Sequence, residues 1–165
     1  MDLESSKTIK EYLHQANRVV ITSHIRPDGD AVGAVLGLGT ALQEAGKQVQ
    51  VVLADGLPAV FRHFPGSKLV SRKVQGDYDL AVVLDCSDLQ RSGGVLGDRK
   101  PEINIDHHVT NLEFGIVNLV EPEAAATCEI LAEFLPKWGF TISQPAAALL
   151  LAGIVTDTIG FRTSN

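Results

Sequence analysis

Arg18-Val-Val-Ile-Thr-Ser23 is a short, β-branched stretch that leads into His24-Ile-Arg-Pro-Asp-Gly-Asp30 and then into residues 31–45, which are rich in alanine, leucine and valine. The first stretch predicts a β-strand. Residues 31–45 predict an α-helix that ends at Gly46, because glycine often follows the last turn of a helix. A strand that passes through a short polar loop into a helix is half of a βαβ unit.

The same alternation continues along the chain. Four more strands are predicted, at residues 48–53, 80–84, 103–106 and 115–120. Further helices are predicted at residues 7–15, 124–138 and 144–156, with a helical turn at 58–64. Residues 80–84 are continuously apolar, as in a strand that is covered on both faces. We therefore predict an α/β fold: a doubly wound, mainly parallel, five-stranded sheet with helices on both faces.

Length and composition are those of one globular domain. The chain has 165 residues, of which 45% are hydrophobic and 21% are charged. Its longest apolar stretch near a helix, residues 146–155, is shorter than the roughly 20 residues of a membrane span. The polar N-terminus predicts no secretory signal, and Cys86 and Cys128 lack CxxC spacing. We therefore expect a cytoplasmic protein with no membrane partner.

The formal net charge of −6 argues against a domain that coats a phosphate backbone with basic residues. Two bound divalent cations would add +4 and leave −2. The acidic balance therefore does not exclude a phosphorylated substrate if metal ions neutralise the site.

Acidic and histidine side chains follow three of the predicted strands. They are His24, Asp28 and Asp30 after the first, Asp85 after residues 80–84, and Asp106-His107-His108 at the end of residues 103–106. Ligand sites of parallel sheets lie beyond these carboxyl ends. Structural roles are the alternative: Pro-Asp-Gly favours a turn, Asp30 could cap the next helix, and an aspartate can cap a loop. His24 is not needed for such a turn.

A further carboxylate, Asp157, ends an apolar helix, where the helix dipole disfavours an anion. Carboxylates gathered at one sheet edge would repel each other, and divalent cations resolve that conflict. Oxygen and imidazole ligands without thiolate suit Mn²⁺, with Mg²⁺, Fe²⁺ or Co²⁺ as alternatives. Six ligands with one shared carboxylate fit a two-metal centre.

Taken together, these motifs resemble the DHH phosphoesterase family. The resemblance rests on four motifs in order, from about residue 19 to residue 162: His24-x-x-Pro-Asp28-x-Asp30, Asp85, Asp106-His107-His108 and Asp157. The family includes RecJ-type exonucleases, family II pyrophosphatases, cyclic dinucleotide phosphodiesterases and nanoRNases. Asp106-His-His-Val-Thr-Asn111 with Phe114-Gly, and the Gly160-Phe-Arg162 ending, are most similar to the nanoRNase branch.

The resemblance implies a role for each residue of these motifs. One metal ion would be held by His24, Asp28 and Asp85, and a second by Asp30, Asp85, His107 and Asp157, with Asp85 bridging. Asp106 would orient a ligating histidine, as carboxylates commonly do. His108 would face the substrate and contact a phosphoryl oxygen or the leaving group. Arg162 could bind phosphate as a fork, or could be an ordinary exposed arginine.

The expected activity is hydrolysis by water activated between two Mn²⁺ ions, with Mg²⁺ or Co²⁺ as substitutes. Very short oligoribonucleotides, or the 3′-phosphate of pAp, are the expected substrates. Pyrophosphate and cyclic dinucleotides are the enzymatic alternatives. A nucleotide-binding module and a flavodoxin-like interaction domain are the alternatives without catalysis. The sequence leaves open whether the chain forms a homodimer.

The resemblance also implies the strand order 2-1-3-4-5. Residues 1–165 would be the DHH catalytic domain alone, since the glycine-rich C-terminal substrate-binding domain (DHHA1-like) of similar proteins has no counterpart here. We therefore expect intact metal binding but weak, poorly selective activity. Gly33, Gly37 and Gly39 lie inside a predicted helix, so close helix packing is a simpler interpretation than a phosphate-binding loop.

Overall fold

The computed structural model describes residues 3–162. The chain order is α1 (Leu3–Gln15), β1 (Arg18–Thr22), α2 (Gly29–Glu44), β2 (Gln48–Val52), β3 (Val70–Ser71), β4 (Leu80–Leu84), β5 (Ile103–Asp106), β6 (Val117–Val120), α3 (Thr127–Trp138) and α4 (Gln144–Asp157). Short 3₁₀ helices lie at Ala59–Phe61, Ser67–Leu69 and Leu89–Ser92.

The six strands form one sheet in the order β3-β2-β1-β4-β5-β6, and every neighbouring pair is parallel. The α/β class, the five predicted strands and their order are confirmed, because β2-β1-β4-β5-β6 is the expected 2-1-3-4-5. The added edge strand, β3, has only two residues. A strand this short shows no alternation of apolar and polar residues, so the sequence does not reveal it.

The two faces of the sheet are covered differently. Strand residues such as Val19 and Ile21 belong to the larger core, together with buried residues of all four α-helices. Val20 and its neighbours on the other face pack with Leu96 and Leu89, which lie in loops and a 3₁₀ helix. The expected second helical layer is therefore built from non-α segments. Residues 86–102 are rich in Gly, Ser and Asp, which favour turns over long helices.

Helices α2 and α4 approach each other through glycine. A Cβ on Gly33 would lie 2.7 Å from the carbonyl oxygen of Leu149, and one on Gly37 would lie 2.6 Å from Cδ2 of Leu150. Gly39 faces the sheet instead, where a Cβ would lie 3.2 Å from Cγ2 of Val51. These contacts confirm that the glycines serve helix packing. Among residues 3–162, no helix combines the length and apolar character needed to cross a membrane.

Candidate metal centre

The loop after β1 places three candidate ligands at the start of α2. Asp28 is the N-cap of this helix, and its Oδ1 accepts a hydrogen bond from the backbone N–H of Ala31 at 3.1 Å. The helix cap considered for Asp30 as a structural alternative therefore lies two residues earlier, at Asp28. The ring of His24 is oriented by the carbonyl of Ile25, 2.8 Å from Nδ1. Because a carbonyl only accepts, Nδ1 carries the proton and Nε2 is left with a lone pair.

Asp30 lies in the first turn of α2 and also caps a second helix. Its Oδ2 accepts from the N–H of Thr127 at 2.7 Å, and its Oδ1 accepts from the N–H of Cys128 at 3.0 Å. Both donors belong to the first turn of α3, whose positive dipole end favours an anion. Burial, followed by the nearby charge of Asp85, raises the pKa of Asp30 to about 7. The carboxyl group is thus held in place by α3 while it remains electrostatically crowded.

Asp85 stands where β4 ends, in a left-handed conformation with φ of 50°. Its N–H donates to the carbonyl of Ile105 at 3.0 Å, and Oδ1 accepts from the hydroxyl of Thr127 at 3.1 Å. Left-handed backbone is uncommon for a residue with a side chain, although Asp tolerates it better than most, and strained residues cluster at functional sites. In this conformation the buried carboxylate of Asp85 lies near His24 and His107.

The two oxygens of Asp85 face different histidines. Oδ2 lies 3.6 Å from Nε2 of His24, and Oδ1 lies 3.7 Å from Nε2 of His107. The Nδ1 of His107 is 3.2 Å from the carbonyl of Ala124, so this ring too is oriented with Nε2 toward the carboxylates. Asp85 therefore has the placement of a bridging ligand between two groups.

The second of these groups contains Asp30, His107 and Asp157. The Nε2 of His107 lies 4.0 Å from Oδ2 of Asp30 and 3.6 Å from Oδ2 of Asp157. Asp157 is the last residue of α4. Burial raises the pKa of Asp157; the charge of His107 acts in the opposite direction, and the charge of Asp85 adds to the rise.

Asp106 orients the ring of His108, whereas it contacts His107 through the backbone N–H at 2.8 Å. Its Oδ1 accepts from Nδ1 of His108 at 2.8 Å, and its Oδ2 accepts from the side-chain amide of Asn111 at 2.6 Å. Burial opposes ionisation of Asp106, but these hydrogen bonds outweigh it and lower the pKa of this carboxyl. The hydrogen bond from Asp106 is also the main reason why the pKa of His108 rises to about 9. His108 is therefore a cation near neutral pH, and its Nε2–H is left to donate.

Three overlapping groups of donors have ligand atoms within 4.8 Å of one another. One contains His24, Asp28 and Asp85, a second contains Asp30, His107 and Asp157, and a third contains Asp85, His107 and His108. The first two suit divalent cations better, because Nδ1 of His108 is already held by Asp106 at 2.8 Å. The His24 to Asp28 distance is 3.8 Å. Such separations exceed the roughly 2.7–3.2 Å of a hydrogen bond. Two donors that each lie roughly 2.0–2.2 Å from one ion can be this far apart.

Charge in the site also fits metal ions. Among residues 3–162, the ion-pair partners of Asp28, Asp30, Asp85 and Asp157 are histidines only, and neither lysine nor arginine contacts these carboxylates. Carboxylate oxygens and imidazole nitrogens are the donors that Mn²⁺ and Mg²⁺ accept. The donor set therefore fits divalent cations, since among the described residues no lysine or arginine compensates these carboxylates.

Residues 18–154 match the DHH family, N-terminal domain. This chain belongs to the DHH family.

Three comparisons place this DHH domain among known proteins. A bifunctional oligoribonuclease and PAP phosphatase NrnA from Thermus thermophilus is 38% identical over 149 residues, which cover 89% of this chain and 45% of the relative. A cyclic-di-AMP phosphodiesterase GdpP from Bacillus subtilis is 28% identical over 178 residues, which cover 94% of this chain and 27% of the relative. The crystal structure of an exopolyphosphatase-related protein from Bacteroides fragilis superposes with a TM-score of 0.88 at 28% identity, over 97% of this chain and 52% of that one.

This DHH domain spans about half the length of the NrnA relatives that it matches. Two residues that sequence reasoning did not single out support its site. Thr127 contacts both Asp30 and Asp85, and Asn111 holds Asp106. Asn111 lies within the motif that carries the resemblance, but the sequence does not show its hydrogen bond to Asp106. Thr127 is 42 residues from Asp85, and no local pattern connects them.

Arg162 lies outside this cluster of contacts. Its side chain is exposed, and its backbone N–H donates to the carbonyl of Thr158 at 2.8 Å in the turn after α4. In the described part of the chain, the carboxylates and histidines of the site have no ion pair with it. A phosphate-binding role for Arg162 stays a prediction.

Proposed function

We propose that this chain is a metal-dependent phosphoesterase domain that hydrolyses the phosphodiester bonds of very short oligoribonucleotides, the 3′-phosphate of pAp, or both. The observation that carries the proposal is the position of Asp85, whose two oxygens face two separate groups of carboxylate and imidazole donors. Paired ions about 3.5–4 Å apart are typical of phosphoryl-transfer sites.

His24, Asp28 and Asp85 would hold one ion, and Asp85, Asp30, His107 and Asp157 the other. We propose Mn²⁺, with Mg²⁺ or Co²⁺ as substitutes. When bound, such ions supply a water of lowered pKa and offset negative charge on the phosphoryl oxygens. Carbonyl groups fix both ligand histidines through Nδ1, so each ring presents Nε2 to the site without reorientation.

His108 is placed to act on the substrate directly. Asp106 holds Nδ1, and the imidazole is protonated near neutral pH because that carboxylate stays ionised. The remaining donor, Nε2–H, can hydrogen-bond a phosphoryl oxygen and then give its proton to the leaving oxygen as the bond to phosphorus breaks. Asn111 holds the other oxygen of Asp106 and so restrains this carboxylate against rotation.

The names of the relatives support the substrate class. The Thermus thermophilus relative is named for activity on oligoribonucleotides and PAP, and it shares 38% of its residues with this chain over the aligned region. Cyclic dinucleotides are a second candidate substrate because the GdpP relative, named for cyclic-di-AMP hydrolysis, also aligns over 94% of this chain. Both compounds contain phosphodiester or phosphomonoester groups of ribonucleotides, so the same site chemistry serves them.

A substrate panel tests the proposal. Diribonucleotide, pAp, cyclic di-AMP and pyrophosphate are incubated with the metal-stripped chain, with and without Mn²⁺. We expect Mn²⁺-dependent release of mononucleotide or of phosphate from the first two. Asp85→Asn should lower that rate at least about 100-fold, because transition-state charge stabilisation is lost. Asp77→Asn is the matched control and should leave the rate unchanged, because this exposed acid precedes β4 and so lies at the opposite end of the strand from Asp85.

Each other outcome has a defined meaning. Turnover of pyrophosphate alone would replace the proposed substrate class. Full activity in Asp85→Asn would remove Asp85, and with it the two-ion proposal, from the reaction. Binding of nucleotides without turnover of any compound would favour the nucleotide-binding module.

A further inference from the structure

A basic cavity of about 400 Å³ lies at the same edge of the sheet as the metal centre. Arg72 and Lys73, which directly follow β3, form one wall, and residues 93–95, which follow the 3₁₀ helix after β4, form the other. Ala54, which follows β2, also lines it. Since all strands are parallel, the residues after β3, β2 and β4 share the edge that carries His24 and Asp85.

Strand spacing fixes the distance scale between the cavity and the metal centre. Strand β3 is two positions from β1 in the sheet. Neighbouring strands are about 4.8 Å apart, so the strand ends that carry His24 and Arg72 are separated by roughly 10 Å across the sheet. A ligand that fills both places has to be longer than a single nucleotide phosphate.

Gly93 lets the cavity wall pack closely against the loop after β1, which carries His24. Gly93 has φ of 71°, and a Cβ there would lie 2.5 Å from Cβ of Ala54 and 2.9 Å from Cγ2 of Ile25. Ile25 is the residue after His24, and its N–H donates to the carbonyl of Arg91 at 2.6 Å. The same short segment therefore supports a candidate ligand of the metal centre and the wall of the cavity.

Charge inside the cavity is uncompensated. No acidic residue lines it, and among residues 3–162 neither Arg72 nor Lys73 has a carboxylate partner at ion-pair distance. The nearby acid Asp55 does not line the cavity, and its Oδ2 is held toward the loop after β1 by the N–H of Arg26 at 2.7 Å. In a chain with a net charge of −6, two unpaired cations around a cavity mark a place for an anion.

A third cation lies on the chain between the two places. Arg91 follows Asp85 by six residues and precedes Gly93 by two, and its guanidinium donates to the hydroxyl of Ser87 at 3.3 Å. Basic side chains that succeed one another along a surface track the backbone of a single-stranded nucleic acid. Arg91, Arg72 and Lys73 together supply three basic side chains for such contacts.

We propose that this cavity binds phosphate groups of the oligoribonucleotide other than the one that is hydrolysed, through Arg72 and Lys73. The inference rests on the proposed function, because it assigns the path of the same substrate. It makes the cavity a length-sensing site: a pentaribonucleotide reaches it from the metal centre, and a diribonucleotide gains little from it.

Salt dependence of hydrolysis tests the inference. Each phosphate contact to a single strand contributes about −0.7 to the slope of log affinity against log salt, so R72Q/K73Q should reduce this slope by about 1.4 for the pentaribonucleotide. Between 200 and 50 mM salt, the KM of the unmodified chain should therefore fall about sevenfold more than that of the variant. The KM for a diribonucleotide should be the same in both proteins.

The matched control is K7Q/K10Q. These two exposed lysines lie on α1, which packs against β6 at the opposite edge of the sheet. The control removes the same charge and should leave the salt slope of the pentaribonucleotide unchanged. Equal slopes for R72Q/K73Q and the unmodified chain, or equal losses in both double variants, would overturn the proposal.

A second arm does not depend on catalysis. In ¹H–¹⁵N spectra of the metal-stripped chain, the pentaribonucleotide should shift the amide signals of Lys73, Gly93 and Gly94, and R72Q/K73Q should abolish these shifts. Absence of the shifts in the unmodified chain overturns the cavity assignment even if hydrolysis is observed. Shifts without hydrolysis of any oligonucleotide would instead refute the proposed function and leave the cavity as a phosphate site.

Discussion

Gly33→Ala tests whether the contact between α2 and α4 sets the geometry of the metal centre. The added methyl would lie 2.7 Å from the carbonyl oxygen of Leu149, 3.0 Å from Sγ of Cys128 and 3.1 Å from the backbone nitrogen of Gly153. Two of these three atoms belong to the backbone of α4, so they move only if the helix moves. Overpacking of this kind costs about 1–3 kcal/mol.

The higher helix propensity of alanine offsets part of this overpacking cost. Alanine is favoured over glycine inside a helix by about 0.5–1 kcal/mol. Because the methyl meets three atoms within 3.1 Å, we expect the upper part of the overpacking range, about 2–3 kcal/mol. Less a helix gain of about 1 kcal/mol, the net loss of unfolding free energy is roughly 1–2 kcal/mol. Gly39→Ala is the matched control on the same helix, because its methyl meets only side chains, the nearest being Val51 at 3.2 Å. There the helix gain and a small adjustment of valine should nearly cancel.

The effect on the site follows from the position of Gly33. It lies between Asp30 and the rest of α2, and it faces the helix that ends in Asp157. Displacement of α4 by a fraction of an ångström changes the separation of two candidate ligands of one ion. A misplacement of about 1 Å at a reacting centre can lower a rate about 100-fold. Gly33→Ala should therefore weaken Mn²⁺ binding and turnover more than stability alone explains.

Urea unfolding followed by circular dichroism gives the stability of both variants, and calorimetry gives their affinity for Mn²⁺. With a slope near 2 kcal/mol/M, the expected loss in Gly33→Ala lowers the midpoint by about 0.5–1 M. If Gly33→Ala were as stable as Gly39→Ala, or bound Mn²⁺ as the unmodified chain does, close packing at Gly33 would not be what positions the two helices.

Three further predictions concern single side chains. Calorimetric titration with Mn²⁺ should find two sites in the unmodified chain, and Asp28→Asn, which keeps the helix cap, should weaken one of them. Asp85→Asn should weaken both, and loss of only one site there would contradict the bridging position. Asp106→Asn should lower kcat by about 100-fold or more with both Mn²⁺ sites retained, because the imidazole that it holds loses its charge and orientation; an effect on KM alone would argue against this role. Hydrogen bonds from Arg18, followed by backbone N–H groups, lower the pKa of Asp79 to about 2, so the pair stabilises the fold above the unfolded pKa of about 3.9 and loses this contribution as pH falls toward 2. Urea unfolding of Arg18→Gln should therefore show a deficit at pH 5 that shrinks at pH 2.5, and a deficit of the same size at both would exclude this linkage.

The sequence predicts the sheet well because its strands carry a strong local signal. Leu80–Leu84 is continuously apolar and proves to be a central strand that is buried along its whole length. Two-residue β3 carries no such signal. The helical second layer was expected from the regularity of α/β folds, but residues 86–102 contain too many turn-forming residues to form a long helix.

The candidate site shows a similar division between what is local and what is not. Donor residues could be named from strand ends alone, since parallel strands bring their carboxyl ends to one edge. The hydrogen-bond partners of these donors could not be named from the sequence, because they come from distant parts of the chain. A cap on its own helix is the structural alternative for Asp30, but Asp28 forms that cap and Asp30 accepts from α3, 97 residues away. Asp106 is expected to orient a histidine, and the ring that it holds is that of His108.

These long-range contacts explain how four carboxylates can be kept together while their charges repel. Asp30 is tied to the first turn of α3, and Asp85 is tied to the hydroxyl of Thr127 in that same turn. One helix N-terminus thus fixes a ligand from each of the two groups and offers them its positive end. Burial and the charge of Asp85 still raise the pKa of Asp30 to about 7, so this compensation is partial and the crowded carboxylates retain an electrostatic preference for divalent cations. We therefore expect that α3 preorganises the cluster and that metal ions complete it, so a change at Thr127 should weaken both proposed Mn²⁺ sites together in a calorimetric titration.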